Sequence, residues 1–355
     1  MTHRAAGVHI EEFDPATDGD ALRACYRMFD GASAVDDPNG PRIDLAATSP
    51  PAPLRGLMQG GRSFVGWWSH GLDGHPQRAF LAADARSGEP AACCVLELPS
   101  RDDTGIAFCL LVVPPERRRH GIGTALLVHA RDQARRAGRS MLIAETRQPS
   151  AGDDFARAIG AQAGGTTDQR RVLDVDADHA ARLAVLRPGV QSHAQGYEVL
   201  SWSGPARAPD VENVAAVVAA MADAPRPGGL APERWDAERV RAEETHTAAL
   251  GLTVHSVAAR HGGSGELAAL TQACIDPMLP GWAFQLATVV TRPHRGHNLG
   301  LLVKVTMHEL LRAQHPDVRR IMTTNDASNR HIIAVNDQLG YRAIDTFVSW
   351  ELAVG

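Results

Sequence analysis

Two segments of this 355-residue chain follow a proline-marked break with an arginine and, five residues on, a glycine, and that spacing suits a phosphate. The first is Val113-Pro-Pro-Glu-Arg-Arg118, followed by Arg119, His120, Gly121, Ile122, Gly123 and Thr124. The second is Val290-Thr-Arg-Pro-His-Arg295, followed by Gly296, His297, Asn298, Leu299, Gly300 and Leu301. Each joins an apolar strand to a helix through a basic, glycine-containing bend. Such a bend aims consecutive backbone N–H groups and the positive end of a helix at one point, where a diphosphate can sit. Small residues let a ligand approach the backbone, and Arg118 or Arg295 would position or neutralise its charge. Neither segment reads G-x-G-x-x-G and no G-x-x-x-x-G-K-[ST] occurs, which argues against dinucleotide and nucleoside-triphosphate sites.

The elements that must hold these bends recur in one order. In the first half, strand His9–Phe13 and a helix from Asp18 to Phe29 precede strands Phe80–Ala83, Ala91–Leu98 and Ile106–Val113. After the bend, Leu127, Ala130, Ala134 and Ala137 trace a helix ending at Gly138, then strand Met141–Ala144 and helix Asp154–Ile159. The second half repeats this with Tyr197–Trp202, Val211–Ala222, Thr253–Ala259, Glu266–Cys274, Phe284–Val290, a helix lined by Val303, Met307 and Leu310, Ile321–Thr324 and His331–Leu339. Arg295 lies 177 residues after Arg118, Gly340 180 after Gly160, and Tyr197 188 after His9. So small a drift over matched elements indicates a duplicated unit. The pattern breaks at Arg187-Pro-Gly189 and Ser192–Gly196, so domains are expected at 1–180 and 196–355, joined by a linker at 181–195.

Composition is that of a globular chain, 44% hydrophobic and 22% charged, with a net charge of −5 that gives no broad nucleic-acid-binding face. All the basic side chains except Lys304 are arginine, a skew that fits a GC-rich coding sequence better than a binding function. Five cysteines without metal-type spacing, four of them in apolar runs, fit a reducing cytoplasm. The N-terminal residues lack an apolar signal segment and nothing approaches a membrane span.

The bends resemble the acyl-CoA motif of the GNAT superfamily of N-acetyltransferases, R/Q-x-x-G-x-G/A. Arg118-x-x-Gly121-x-Gly123 matches it, and Arg295-x-x-Asn298-x-Gly300 matches with Asn for the first Gly. The resemblance covers nearly the whole chain as two tandem copies and implies an α/β (α+β) fold, each copy a mixed, mostly antiparallel sheet flanked by helices. It implies that the strand before each bend splays from its neighbour near Val113 or Val290, freeing backbone groups to pair with pantetheine. Amides near Val289 would then polarise the thioester carbonyl.

By the same resemblance, Asn329 falls where the family's last motif contacts the coenzyme. Asn336 stands where a tyrosine often protonates the departing thiolate. The first copy has Pro149 and Ala156 at these places, and proline offers no N–H. The second copy is therefore expected to be catalytic, with the first binding coenzyme without turnover or serving as scaffold. No carboxylate lies on Phe284–Val290, where only Gln285 and Thr288 are polar, so Glu266 and Asp276 are the nearest candidate catalytic bases, although a solvated hairpin carboxylate is the commoner reading of each. Asp37 and Asp223, in the loops Asp36–Pro41 and Asp223–Pro232, lie on the side where the family receives acceptors, though an Asp close to Pro is also a turn former. His255, His294, His297 and His331 match no metal spacing.

The resulting expectation is acetyl-CoA-dependent N-acetyltransfer to a small-molecule amine by direct attack, without metal, in the cytoplasm. No nucleic-acid or membrane partner is expected, and the chain would be a monomer or homodimer. The alternative is a non-catalytic acyl-CoA-binding or regulatory protein, which the missing tyrosine favours.

Overall fold

The computed structural model describes residues 7–15, 17–42, 76–223, 230 and 233–355. The first half supplies β1 (Val8–Phe13), α1 (Gly19–Asp36), β2 (Gln77–Asp84), β3 (Pro90–Glu97), β4 (Ile106–Val112), α2 (Ile122–Arg136), β5 (Met141–Gln148), α3 (Ala151–Ala158) and β6 (Gln162–Asp174). Helix α4 (Ala177–His193) leads into β7 (Tyr197–Ser203), α5 (Val211–Ala219), α6 (Ala237–Ala249), β8 (Thr253–His261), β9 (Leu267–Ile275) and β10 (Trp282–Val290). Then come α7 (Leu299–Gln314), β11 (Arg320–Asp326), α8 (Arg330–Leu339) and β12 (Arg342–Ala353).

All twelve strands form one sheet in the order β1-β2-β3-β4-β5-β12-β6-β11-β10-β9-β8-β7. Shifting every label by six gives the same order read backwards, the signature of two copies about an approximate two-fold axis between β12 and β6. The copies exchange their last strands. β6 pairs antiparallel with β11, from Asp168↔Asp326 to Asp174↔Arg320, while β12 pairs antiparallel with β5, from Thr346↔Gln148 to Ala353↔Met141.

β6 reads as loop in the sequence because Gly164, Gly165, Thr166 and Thr167 precede Arg170 and Arg171. Its strand state comes from neighbours on both edges rather than from propensity. Arg170, 4% exposed, donates to Asp37 from Nη1 and Nη2 at 2.5 Å each, and from Nε to Asp345 at 2.9 Å. One guanidinium thus clamps the loop after α1 to both exchanged strands.

The expected linker at 181–195 is mostly helix, since α4 runs through Arg187-Pro188-Gly189. Buried Leu183 and Val190 dock α4 in the apolar cluster that contains Leu302, Val303 and Leu311 of α7, and this packing outweighs the one backbone bond that Pro188 cannot make. Helix α1 also outlasts its expected end at Phe29, with Leu22, Cys25, Tyr26, Phe29 and Ala32 lining its buried face. Helices α1 and α2 cover opposite faces of the first-half sheet, and α7 and α5–α6 those of the second. All five cysteines are buried free thiols. No helix among the described residues is long and apolar enough to cross a membrane.

Candidate functional site

Five helices begin on a side chain that accepts one of their first N–H groups: Asp18 for α1, Ser150 for α3, Asp176 for α4, Asp236 for α6 and Asn329 for α8. Helix α5 continues directly from the 3₁₀ turn Ala208–Asp210 without such a cap, and helices α2 and α7 have none either. Each instead starts after a short 3₁₀ turn, Pro115–Arg117 or Arg292–His294. The first helical bonds run from Ala125 N to Gly121 O and from Leu302 N to Asn298 O. That leaves the N–H groups of Arg119–Thr124 and of Gly296–Leu301 without a backbone acceptor among the described residues. Two runs of unpaired donors at helix starts are what an anionic diphosphate satisfies.

The bends agree in backbone as well. Arg119 (φ +66°) and Gly121 (φ +79°) match Gly296 (φ +88°) and Asn298 (φ +54°). Asn298 departs from the glycine motif in type but not in conformation, since asparagine tolerates the left-handed region. A methyl placed on Gly123 would stand 3.6 Å from Val113 Cγ2, and one on Gly300 3.5 Å from Val290 Cγ2, so these residues hold helix against strand end.

Next to each bend the sheet opens. β4 and β5 pair in parallel only from Ile106↔Met141 to Phe108↔Ile143, and β10 and β11 only from Trp282↔Arg320 to Phe284↔Met322. Beyond Phe284 the two strands are joined by the Thr323 hydroxyl donating to Gln285 O at 3.2 Å. The second half alone adds a bulge: β10 advances from Gln285 to Thr288 while β9 steps from Ala273 to Thr271, whereas β4 stays in register with β3. Thr291 N donates to Ala268 O of β9. Alternation along the strand therefore turns the Val289 N–H toward β9 and the Val290 N–H toward the opening. The open-side amide is thus Val290's, one residue on from Val289.

The motif arginines are held by carboxylates. Arg118 donates from Nε to Val113 O at 3.0 Å and from Nη1 to Asp36 at 2.8 Å. Arg295 donates to Val290 O at 3.3 Å and to Asp223 at 2.7 Å, and Arg292 reaches Asp223 at 2.9 Å. These arginines, Arg292 foremost, keep the Asp223 carboxyl below its usual range. Asp36, rather than Asp37, is therefore the first-half counterpart of Asp223. Both acids named for the acceptor side are engaged by arginine, Asp37 by Arg170 and Asp223 by Arg292 and Arg295. Residues 224–229, 231 and 232 of the second acceptor loop lie outside the described residues.

Glu266 and Asp276 are not brought together. Exposed Glu266 accepts from Ser264 beside the bend, and buried Asp276 accepts from Met278 N at 2.8 Å beyond the other end of β9. Nine strand residues, roughly 30 Å, separate them. Asn329 caps α8, its Oδ1 accepting from Ile332 N at 3.3 Å. Fully buried Asn336 accepts from Lys304 Nζ at 2.6 Å. Tyr197 and His294 hydrogen-bond at 2.8 Å, and their rings meet those of His261 and His297 beside the second bend. No group of three or more His, Cys, Asp or Glu side chains suited to a metal ion occurs among the described residues.

Sequence reasoning missed Asp36, Asp345 and Arg170. Only the spacing of Asp36 from Asp223, 187 residues and close to the repeat, carried any signal.

Residues 53–153, which include the first bend, match the acetyltransferase (GNAT) family model. A solved tandem GNAT protein from the clavulanic acid biosynthesis pathway is 26% identical, with 98% of this chain and 99% of that one covered and a TM-score of 0.76. The chain carries a GNAT acetyltransferase domain within a tandem GNAT fold. A GCN5-related N-acetyltransferase from Sphaerobacter thermophilus shares the fold at 16% identity, covering 98% and 96% of the two chains with a TM-score of 0.62. So does a fungal glucosamine N-acetyltransferase region, at 13% identity over 98% of this chain and 38% of that one, with a TM-score of 0.60. No curated protein matches the sequence. The family match implies acyl-CoA-dependent acetyl transfer.

Proposed function

We propose that this tandem GNAT chain transfers an acetyl group from acetyl-CoA to the amine of a small molecule by direct attack, in its second half. The bulged, unzipped edge of β10 beside the unpaired amides Gly296–Leu301 carries this reading. The amides would hold the diphosphate, and the opening beyond Phe284 gives the pantetheine arm backbone partners. The acyl carrier supplies an activated thioester; the chain orients it and stabilises charge. The Val290 N–H, turned into the opening, hydrogen-bonds the carbonyl oxygen as negative charge develops there. A neutral amine then attacks, and its surplus proton leaves through water, because neither Glu266 nor Asp276 lies level with the bulge.

The first half has the amides and the opening but no bulge, and this favours coenzyme binding or a scaffold role there. A small-molecule acceptor accords with the pathway named for the 26%-identical tandem GNAT structure. The cytoplasmic reading rests on five free thiols, Cys93 and Cys94 among them pushed well up by neighbouring thiols and burial and so unsuited to nucleophilic work. Thiol release from acetyl-CoA across a panel of small amines tests the proposal. Coenzyme binding with no turnover for any amine would instead indicate a non-catalytic acyl-CoA sensor, the reading that Asn336 at the tyrosine position favours.

A further inference from the structure

Lys304, the sole lysine of the chain, projects from α7 into the second-half core at 1% exposure. No carboxylate pairs with it among the described residues. Its Nζ donates to Asn336 Oδ1 of α8 at 2.6 Å, and Asn336 Nδ2 donates to Asn325 Oδ1 of β11 at 2.7 Å. An ammonium can only donate, so while Lys304 is charged it fixes the polarity of both amides. Asn336 must turn its oxygen to the lysine and its NH₂ to Asn325, which in turn keeps its own NH₂ as the free end of the chain. Bonds aligned head to tail in a dry interior strengthen one another.

Asn325 itself stands beside the sheet opening. Counted from the last pair, Phe284↔Met322, Asn325 is level with Ala287, inside the β10 bulge. The Val290 amide faces the opening from the β10 rim and Asn325 stands on the β11 rim. Matched positions in the first half carry Leu127, Ala156 and Thr146, so the chain belongs to the bulged half alone. A buried lysine without a counter-ion is costly, and removing it leaves no broken ion pair behind. The cationic and titratable groups around it are Arg171 of β6, which is paired with Asp337, His308 of α7 and the Tyr341 ring at 5.1 Å.

We propose, building on the function assigned above, that Lys304 is a positioning residue. Through Asn336 it aims the Asn325 carboxamide N–H into the opening, where that N–H hydrogen-bonds the sulfur leaving the thioester. As the amine lone pair forms the C–N bond, the C–S bond breaks and its electron pair stays on sulfur. The amine proton goes to water, and the thiolate, held by Asn325, takes a proton from water.

A single lysine makes the test direct. Protein labelled with ¹³C-lysine gives one lysine side-chain resonance, which should move when CoA binds and stay still in Asn325→Ala, while calorimetric CoA affinity of the variant remains within about threefold. Lys304→Met and Asn325→Ala should each lower kcat by roughly tenfold to a hundredfold with KM for acetyl-CoA little changed, the loss expected for one charge-stabilising donor. Turnover within twofold of wild type in both variants, or a resonance indifferent to CoA that calorimetry shows to bind, overturns the assignment. Absence of CoA binding to the wild type would instead overturn the coenzyme reading on which it rests. Asn325→Ala alters a half-buried side chain near a strand end and so guards against a Lys304→Met variant that fails to fold.

Discussion

Arg295 donates to Asp223 at 2.7 Å, and this pair stands to the second bend as Arg118 and Asp36 stand to the first. In both, a carboxylate at the end of the copy's first helix or just after it holds the motif arginine against the end of the strand. The arginine is thereby ordered beside the unpaired amides, and on the proposed coenzyme reading the Asp would share it with a bound phosphate.

Arg295→Ala should therefore cut turnover by at least tenfold through weaker coenzyme binding, whereas Arg118→Ala should leave kcat within about twofold. Steady-state kinetics on the two variants decides which half is active. Equal losses from both would contradict a second-half site.

Asp223→Asn removes the negative charge beside the second bend. CoA should then bind more tightly by a small factor, with a steeper salt dependence, as calorimetry at two ionic strengths would show. Weaker binding would mean that Asp223 orders the arginines more than it competes for them.

Burial pushes the Lys304 ammonium down to about 7 from the ordinary lysine value near 10.5. The folded pKa is depressed, so the unfolded chain binds more protons between those values, and stability should rise as pH climbs from about 7 to 10. Urea unfolding at pH 7 and pH 9.5 should show that rise in wild type and lose most of it in Lys304→Met.

His179 and His255 behave in the opposite pH range. Burial lowers both to about 4, aided by Arg312 near His179 and by His315 near His255. Each is held neutral in the fold, so its stabilisation is complete above about 6.5 and is lost as pH falls toward 4. The double variant His179→Asn, His255→Asn should be less stable at pH 7 yet lose less than wild type between pH 7 and pH 4.5. An unchanged acid slope would show that these rings are not the groups that titrate.

The Arg170 clamp should be among the costliest places to cut. Arg170→Met leaves Asp37 and Asp345 without their cation, a loss of about 3–5 kcal/mol for a broken buried pair. Burial already holds the Asp345 carboxyl above its usual range despite Arg170. Protonation therefore relieves the variant, whose deficit should be smaller at pH 5 than at pH 8 in denaturant titrations.

The copy order, both bends and the strands from β1 to β5 and β7 to β11 were legible because apolar runs and turn residues carry local information. β6 and β12 were not. Gly164 and Gly165 followed by Arg170 and Arg171 look like loop until two neighbouring strands and two aspartates surround them. Lys304 was visible as the sole lysine, but its meaning depends on Asn336 and Asn325, which only the packing of α8 on β11 brings within reach. Glu266 and Asp276 flank β9 on either side, so its nine extended residues keep them apart.

Because β12 completes the sheet of the first half, that half stays an unfinished edge until residues 342–353 have been made. The first unit therefore cannot close until synthesis has passed residue 353, whereas the second needs only β11 to meet β6. A ribosome paused after residue 180 holds β6 with neither of its neighbours, an aggregation-prone ribbon rather than a module. Separating the copies for study would require fragments expressed together, since each half keeps the other's closing piece.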